Sequence, residues 1–208
     1  MAITRKQALG GTTASLAFAS NNTVGSLLIC IFRSSTGATV SDSQGNSWHA
    51  AIAQSNVSDR DIELGIWYAL NCKSGANTVT VTGSGSFFSA QVIAEYSGVA
   101  TASALGTTNS AIGSGSGSYN SGTVTSTRSA LFIGGVENES ANSITDTPSG
   151  GLSDVTSAFG NVFLSELIAT GSSTNSAKGT LSTSVNWAAG VAIFYPPPNG
   201  AGLLLGVG

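Results

Sequence analysis

Four short runs of this chain recur about a hundred residues apart. Leu27-Leu28-Ile29 is echoed by Leu131-Phe132-Ile133, and Ile62-Glu63-Leu64 by Val162-Phe163-Leu164. Residues 78–82 are echoed by 180–184 and 92–96 by 191–195, so that the four offsets are 104, 100, 102 and 99. Each run has strand character. In 78–82, Val79 and Val81 share one face while Thr78, Thr80 and Thr82 share the other, the two-residue period of a half-buried strand. A copy holding four or five strands leaves an apolar face open if it stands alone. The two copies must therefore cover one another. The fold class expected is all-β: an antiparallel two-sheet β-sandwich, jelly-roll-like in its connections, built from two pseudo-repeated halves.

The rest of the chain fits that frame. No segment carries a 3.6-residue apolar period, so helix is expected to be short or absent. Strands are expected over 12–20 and 26–33 as a first hairpin, then 48–54 and 62–69. A second hairpin follows, 77–82 with 87–96, its turn set by Gly83-Ser84-Gly85-Ser86, residues that tolerate the positive φ of tight turns. Residues 101–121 carry GSGSGS at their centre and read by composition as a connection. Further strands are expected over 122–127, 130–137, 163–170, 180–185 and 187–195. One domain then covers 1–195, with pseudo-repeats at about 12–99 and 122–195. A Pro-led apolar tail covers 196–208.

Composition narrows the function. Only 8% of the residues are charged, against about 25% in an average domain. Ser, Thr, Asn and Gly supply the polar surface instead. The net charge of −3 and the absence of a basic stripe argue against nucleic acid as a partner. No apolar run reaches the ~18 residues of a membrane span. Met1 to Ser20 imitates a signal peptide, with Arg5 and Lys6 ahead of Ala17-Phe18-Ala19, but Gly10, Gly11, Thr12, Thr13 and Ser15 make its centre too polar. That end is expected to belong to the fold. Cys30, within Leu28-Ile29-Cys30-Ile31-Phe32, is expected to be a buried free thiol, as is Cys72.

Several residues qualify as site candidates, each with a plainer reading. Asp59, Asp61 and Glu63 stand at i, i+2 and i+4 and on a strand would share a face able to offer oxygens to Ca²⁺. A solvated strand face explains them more cheaply, and no metal or other cofactor is expected. Asp42-Ser43-Gln44-Gly45-Asn46 could also hold a cation but reads as an Asx turn. His49 is the single histidine, and nothing around it resembles a nucleophile elbow. Glu95 interrupts an apolar strand and is either buried with partners or faces outward. Trp67 and Trp187 sit among apolar neighbours and read as core. Trp48 is the aromatic left as a surface-binding candidate, for a possible glycan.

VSDSQGNSW (40–48), GIWYA (65–69), GANTVTVT (75–82) and AEYSGV (94–99) resemble a broad group of jelly-roll sandwich domains. These occur in bacteriophage structural proteins and in large bacterial surface proteins. The motifs are turn and core motifs, and the resemblance implies a structural or adhesive module with no catalytic residue. Two expectations follow. One is a non-enzymatic virion structural protein, such as a capsid decoration, head-fibre or tail-associated subunit, assembled in the host cytoplasm. The other is a bacterial surface or secreted adhesin or carbohydrate-binding module, which would need Met1 to Ala19 to be cleaved. Partners are then the chain itself, as a homo-oligomer, and other virion proteins. The coupling element expected is the tail, where Leu203, Leu204, Leu205 and Val207 follow the stiff Pro196-Pro197-Pro198 and would fill a groove or sheet edge on the next chain.

Overall fold

The computed structural model describes residues 2–55, 62–83, 88–139 and 144–198. The described chain is all-β. Its first half contributes β1 (Thr4–Gly11), β2 (Ser15–Ala17), β3 (Leu27–Ser35), β4 (Thr39–Asp42), β5 (Trp48–Ser55), β6 (Ile62–Ala69), β7 (Thr78–Thr82) and β8 (Phe88–Ser97). The second half contributes β9 (Leu105–Asn120), β10 (Val124–Ser126), β11 (Ala130–Asn138), β12 (Asp146–Pro148), β13 (Ser153–Ala158), β14 (Val162–Ala169), β15 (Ser173–Asn175) and β16 (Lys178–Phe194). Among the described residues no helix is long and apolar enough to cross a membrane.

The two halves share one strand order. The large sheet of the first half runs β1-β8-β3-β6-β5, and that of the second runs β9-β16-β11-β14-β13, all antiparallel. Outside each lies a smaller set of strands. In the first half it is β2-β7-β4. In the second, β10 pairs with β15, and β12 pairs with the start of β16. The long β16 thus does the work of both β7 and β8.

The large sheets face each other. Leu27, Ile29, Ile31, Leu64, Ile66, Val92 and Ala94 from the first meet Leu131, Ile133, Val162, Leu164, Ala188 and Ala192 from the second in one core. The alternate residues Leu28, Cys30 and Phe32 point the other way, onto β2, β4 and β7, with Phe18, Val40, Val79 and Val81. Ala130, Phe132, Val191 and Ile193 do the same in the second half. The molecule therefore has four layers. Central strands buried on both faces are continuous apolar runs because both sides of their pleat meet core. The expected facing pair of sheets is present, with a further layer outside each.

A pseudo-twofold axis relates the halves. β1 lies over β13 and β5 over β9, while β3 lies over β11. Close approach is set partly by glycine. A Cβ on Gly135 would meet Ile31 and Ile66 at 3.0 Å, and one on its ladder partner Gly190 would meet Ile52 at 2.7 Å. Polar links also cross the seam. Arg33 Nε donates to Glu137 Oε2 at 2.9 Å, with both side chains almost wholly buried. These two occupy equivalent places, six residues beyond Leu27 and Leu131. Elsewhere, Arg5 Nη1 and the Tyr96 hydroxyl donate to the two oxygens of Glu166, each at 2.6 Å.

The structure corrects several sequence expectations. Neither expected hairpin forms. Residues 12–20 contain β2, which pairs with β7, while the unforeseen β1 pairs with β8. β7 and β8 enter different sheets. The supposed connection of 101–121 is largely β9, zipped along β16 from Leu105↔Phe194 to Lys178↔Asn120. Two repeat offsets also shift. Leu28 pairs with Ala69 as Phe132 pairs with Leu167, so Leu64 is equivalent to Val162 and not to Leu164, and the last offset is one residue shorter. Val92 faces the central core, whereas Val191 faces the outer one; Ala192 and Phe194 face inward, as Ala94 and Tyr96 do. A one-residue slip exchanges the two faces of a strand.

Candidate functional site

Most residues singled out in the sequence turn out to have structural partners. Trp48 is half-buried against the outer core, and its indole N–H donates to Asp42 Oδ2 at 3.1 Å. The same carboxylate accepts from Asn46 Nδ2 at 2.7 Å, Asn77 Nδ2 at 3.1 Å, and the backbone N–H groups of Gln44 and Asn46. Burial alone would raise the Asp42 pKa, but these hydrogen bonds outweigh it and hold it below the usual value. The loop is the Asx turn the sequence suggested. Glu63 is 4% exposed and accepts from the Gly37 N–H at 3.1 Å. The solvated strand face expected there does not exist at this residue, and burial raises its pKa. Asp59 and Asp61 lie outside the described residues, as do Leu203, Leu204, Leu205 and Val207. Among the described residues no group of three or more metal-ligating side chains gathers.

Glu95 is buried and accepts from Gln7 Nε2 at 2.7 Å, the Thr23 N–H at 2.8 Å and Asn22 Nδ2 at 2.9 Å. Burial opposes its charge, yet the donors win and its pKa falls. Cys30 and Cys72 are both buried free thiols. Burial pushes Cys30 far up and Cys72 to about 11, which leaves neither as a ready nucleophile. Trp187 is buried and Trp67 half-buried, each packed on apolar neighbours.

Two of the concave places hold titratable side chains. The first is a pocket of about 260 Å³ beside β12 and β13, walled by Ile144, Val155 and Phe163. Asp146 and Asp154 face it, and the Tyr119 hydroxyl donates to Asp146 Oδ2 at 2.7 Å. Burial, then the charge of Asp146, pushes Asp154 up to about 6. Burial also raises Asp146. The pair can hold a proton near neutrality, as neighbouring carboxylates do.

The second is a cleft of about 510 Å³ at the seam of the halves, lined by Ser47, His49, Tyr68, Leu70, Asn71, Thr101 and Ser103. β5 supplies His49, β6 supplies Tyr68, and the segment between the halves supplies Thr101 and Ser103. The Tyr68 ring is held edge-on by Phe194 at 5.3 Å, and His49 leans on it at 5.7 Å. Among the described residues, none of the six polar side chains here makes a hydrogen bond to the protein. Asn71 and Ser103 hold φ of 53° and 51°, a left-handed conformation uncommon outside glycine. Sequence reasoning considered His49 by itself and missed the cleft, because three distant segments build it and none carries a motif.

No protein-family model, curated protein or solved structure matches the chain. The resemblance to jelly-roll domains accordingly rests on the quoted motifs.

Proposed function

We propose that this protein is a non-enzymatic structural subunit of a virion, such as a capsid decoration, head-fibre or tail-associated protein. The observation that carries the reading is the repeated strand order. Numbering strands within each half, 1-8-3-6-5 forms one sheet in both; outside it the first half has 2-7-4, whereas the second pairs 2 with 7 and 4 with the start of 8. The shared 1-8-3-6 order, with 2-7-4 opposite it in the first half, is compatible with a jelly-roll reading, and jelly rolls recur in viral capsid and lectin domains. Two such units fused over one dry core make a stiff block with little charged surface, suited to packing beside copies of itself. The tail with Leu203, Leu204, Leu205 and Val207 is the proposed contact between copies.

The test is made on particles. The chain should co-purify with nuclease-resistant particles banded from the producing culture, at a fixed ratio to the main shell protein. A chain found on intact cells or free in the medium, and absent from such particles, overturns the reading. The open polar cleft favours one alternative, a surface or secreted binding module that recognises a glycan.

A further inference from the structure

The internal twofold supplies a control for the Tyr68 cleft. Its counterpart in the other half is a groove of about 280 Å³ lined by Ala2, Ile3, Ser129, Ile168, Ala169, Thr170 and Pro196. Leu28 pairs with Ala69 as Phe132 pairs with Leu167, so Tyr68 corresponds to Glu166 and Leu70 to Ile168. Ala2 and Ile3 precede β1 as Thr101 and Ser103 precede β9. In the counterpart two of the polar side chains are consumed. Glu166 is taken by Arg5 and Tyr96, and the Ser129 hydroxyl donates to the Thr170 carbonyl at 2.8 Å. Apart from Thr170, apolar residues form the rest. The fold thus lines one member of the pair mostly with apolar side chains. A half-buried aromatic ring bordered by polar side chains that make no hydrogen bond to the protein is not something the architecture requires.

We infer that the Tyr68 cleft binds a neutral saccharide. Its volume lies within the roughly 300–1,000 Å³ of small-molecule sites. The half-buried Tyr68 ring, packed between Phe194 and His49, supplies aromatic surface for the C–H side of a pyranose. Ser47, Thr101 and Ser103 each present a hydroxyl that both donates and accepts, and the Asn71 amide does both through separate atoms. Such groups suit the vicinal hydroxyls of a sugar, which also donate and accept. No Asp, Glu, Lys or Arg lines the cleft, so nothing there rewards a carboxylate, sulfate or phosphate on the ligand. The left-handed backbone at Asn71 and Ser103 is the kind of local strain that collects at ligand clamps. This inference deepens the glycan-recognition alternative and stands apart from the virion reading, which particle purification tests on its own.

The experiment is saturation-transfer NMR on the full chain. The probes are the methyl glycosides of glucose, galactose, mannose and N-acetylglucosamine, with N-acetylneuraminic acid and uridine as controls. At least one neutral glycoside should receive saturation on its ring protons, and the two controls should not. Ser47→Arg places a long side chain across the cleft from an exposed position and should cut the signal at least tenfold while leaving the melting temperature in place. Tyr68→Ala should do the same to binding, and Thr170→Arg, in the counterpart groove, should change nothing. Silence from all four glycosides, equal transfer to uridine or N-acetylneuraminic acid, or a signal that survives Ser47→Arg would each overturn the inference.

Discussion

Replacing Arg33 by methionine tests what the seam contributes. The Arg33–Glu137 pair is buried at 6% and 0% side-chain exposure and joins the two halves. Removing one partner of a buried pair typically costs about 3–5 kcal/mol, because the remaining charge keeps its desolvation penalty. For a chain of this size about 1 kcal/mol moves Tm by roughly 2–4 °C, so Arg33→Met should lower Tm by about 6–20 °C. The double variant Arg33→Met/Glu137→Met removes both charges and keeps apolar volume. Replacing a buried pair in this way is often neutral or stabilising, and the double variant should recover most of the loss. Guanidinium unfolding followed by tryptophan fluorescence reads both halves, since Trp48 and Trp67 report on the first and Trp187 on the second. A loss below about 1 kcal/mol for Arg33→Met, or a double variant no more stable than the single, would falsify the account of the seam as a desolvated ion pair.

Other expectations follow from the same structure. Asp154 has its pKa raised to about 6, so the folded state binds the proton more tightly than the unfolded chain; its stabilising contribution is full below about pH 4 and lost as pH rises through about 6. Asp154→Asn should therefore raise Tm at pH 7 and lose that advantage at pH 4, and an advantage independent of pH would contradict the assignment. Glu95 has a lowered pKa, so its contribution is present above the unfolded carboxylate value and fades as pH falls; Glu95→Gln should cost most at neutral pH, as measured by thermal melts across pH 3–7. Cys30 should resist iodoacetamide in the native protein and react on unfolding, and fast native alkylation detected by intact mass would argue against its burial. Deleting 201–208 should leave the melting temperature unchanged and abolish self-association in sedimentation velocity, and unaltered association would rule the tail out as the contact.

How much of this was legible beforehand depended on whether the signal was local. The double burial of β3 and β11 was written in continuous apolar runs, and the repeat announced two equivalent halves. β9 was hidden because Gly and Ser carry no strand preference; that stretch is a strand because β16 lies beside it. The supposed hairpin failed for a related reason. Gly83-Ser84-Gly85-Ser86 is good turn chemistry, but nothing in a turn says whether the flanking strands pair with each other or pass between layers. The offset of 99 was one residue out because the match Val92 to Val191 is chemically good and geometrically on the wrong face. The cleft was out of reach altogether. Its polar residues come from three segments, and their lack of internal partners is a property of the folded arrangement.

The twofold relation between the halves also fixes where the described ends of the chain lie. Ala2, Ile3 and Pro196 share the groove that corresponds to the cleft flanked by Thr101 and Ser103. The backbone there is tied across, with the Ala100 N–H donating to the Tyr195 carbonyl and the Tyr195 N–H to the Ala104 carbonyl, each at 2.9 Å. The strap between the halves and the place where Ala2, Ile3 and Pro196 come together are thus equivalent under the twofold. A circular permutant that joins residue 198 to residue 2 through a short Gly/Ser linker and opens between 98 and 100 would exchange the two halves in synthesis order while leaving every strand neighbour in place.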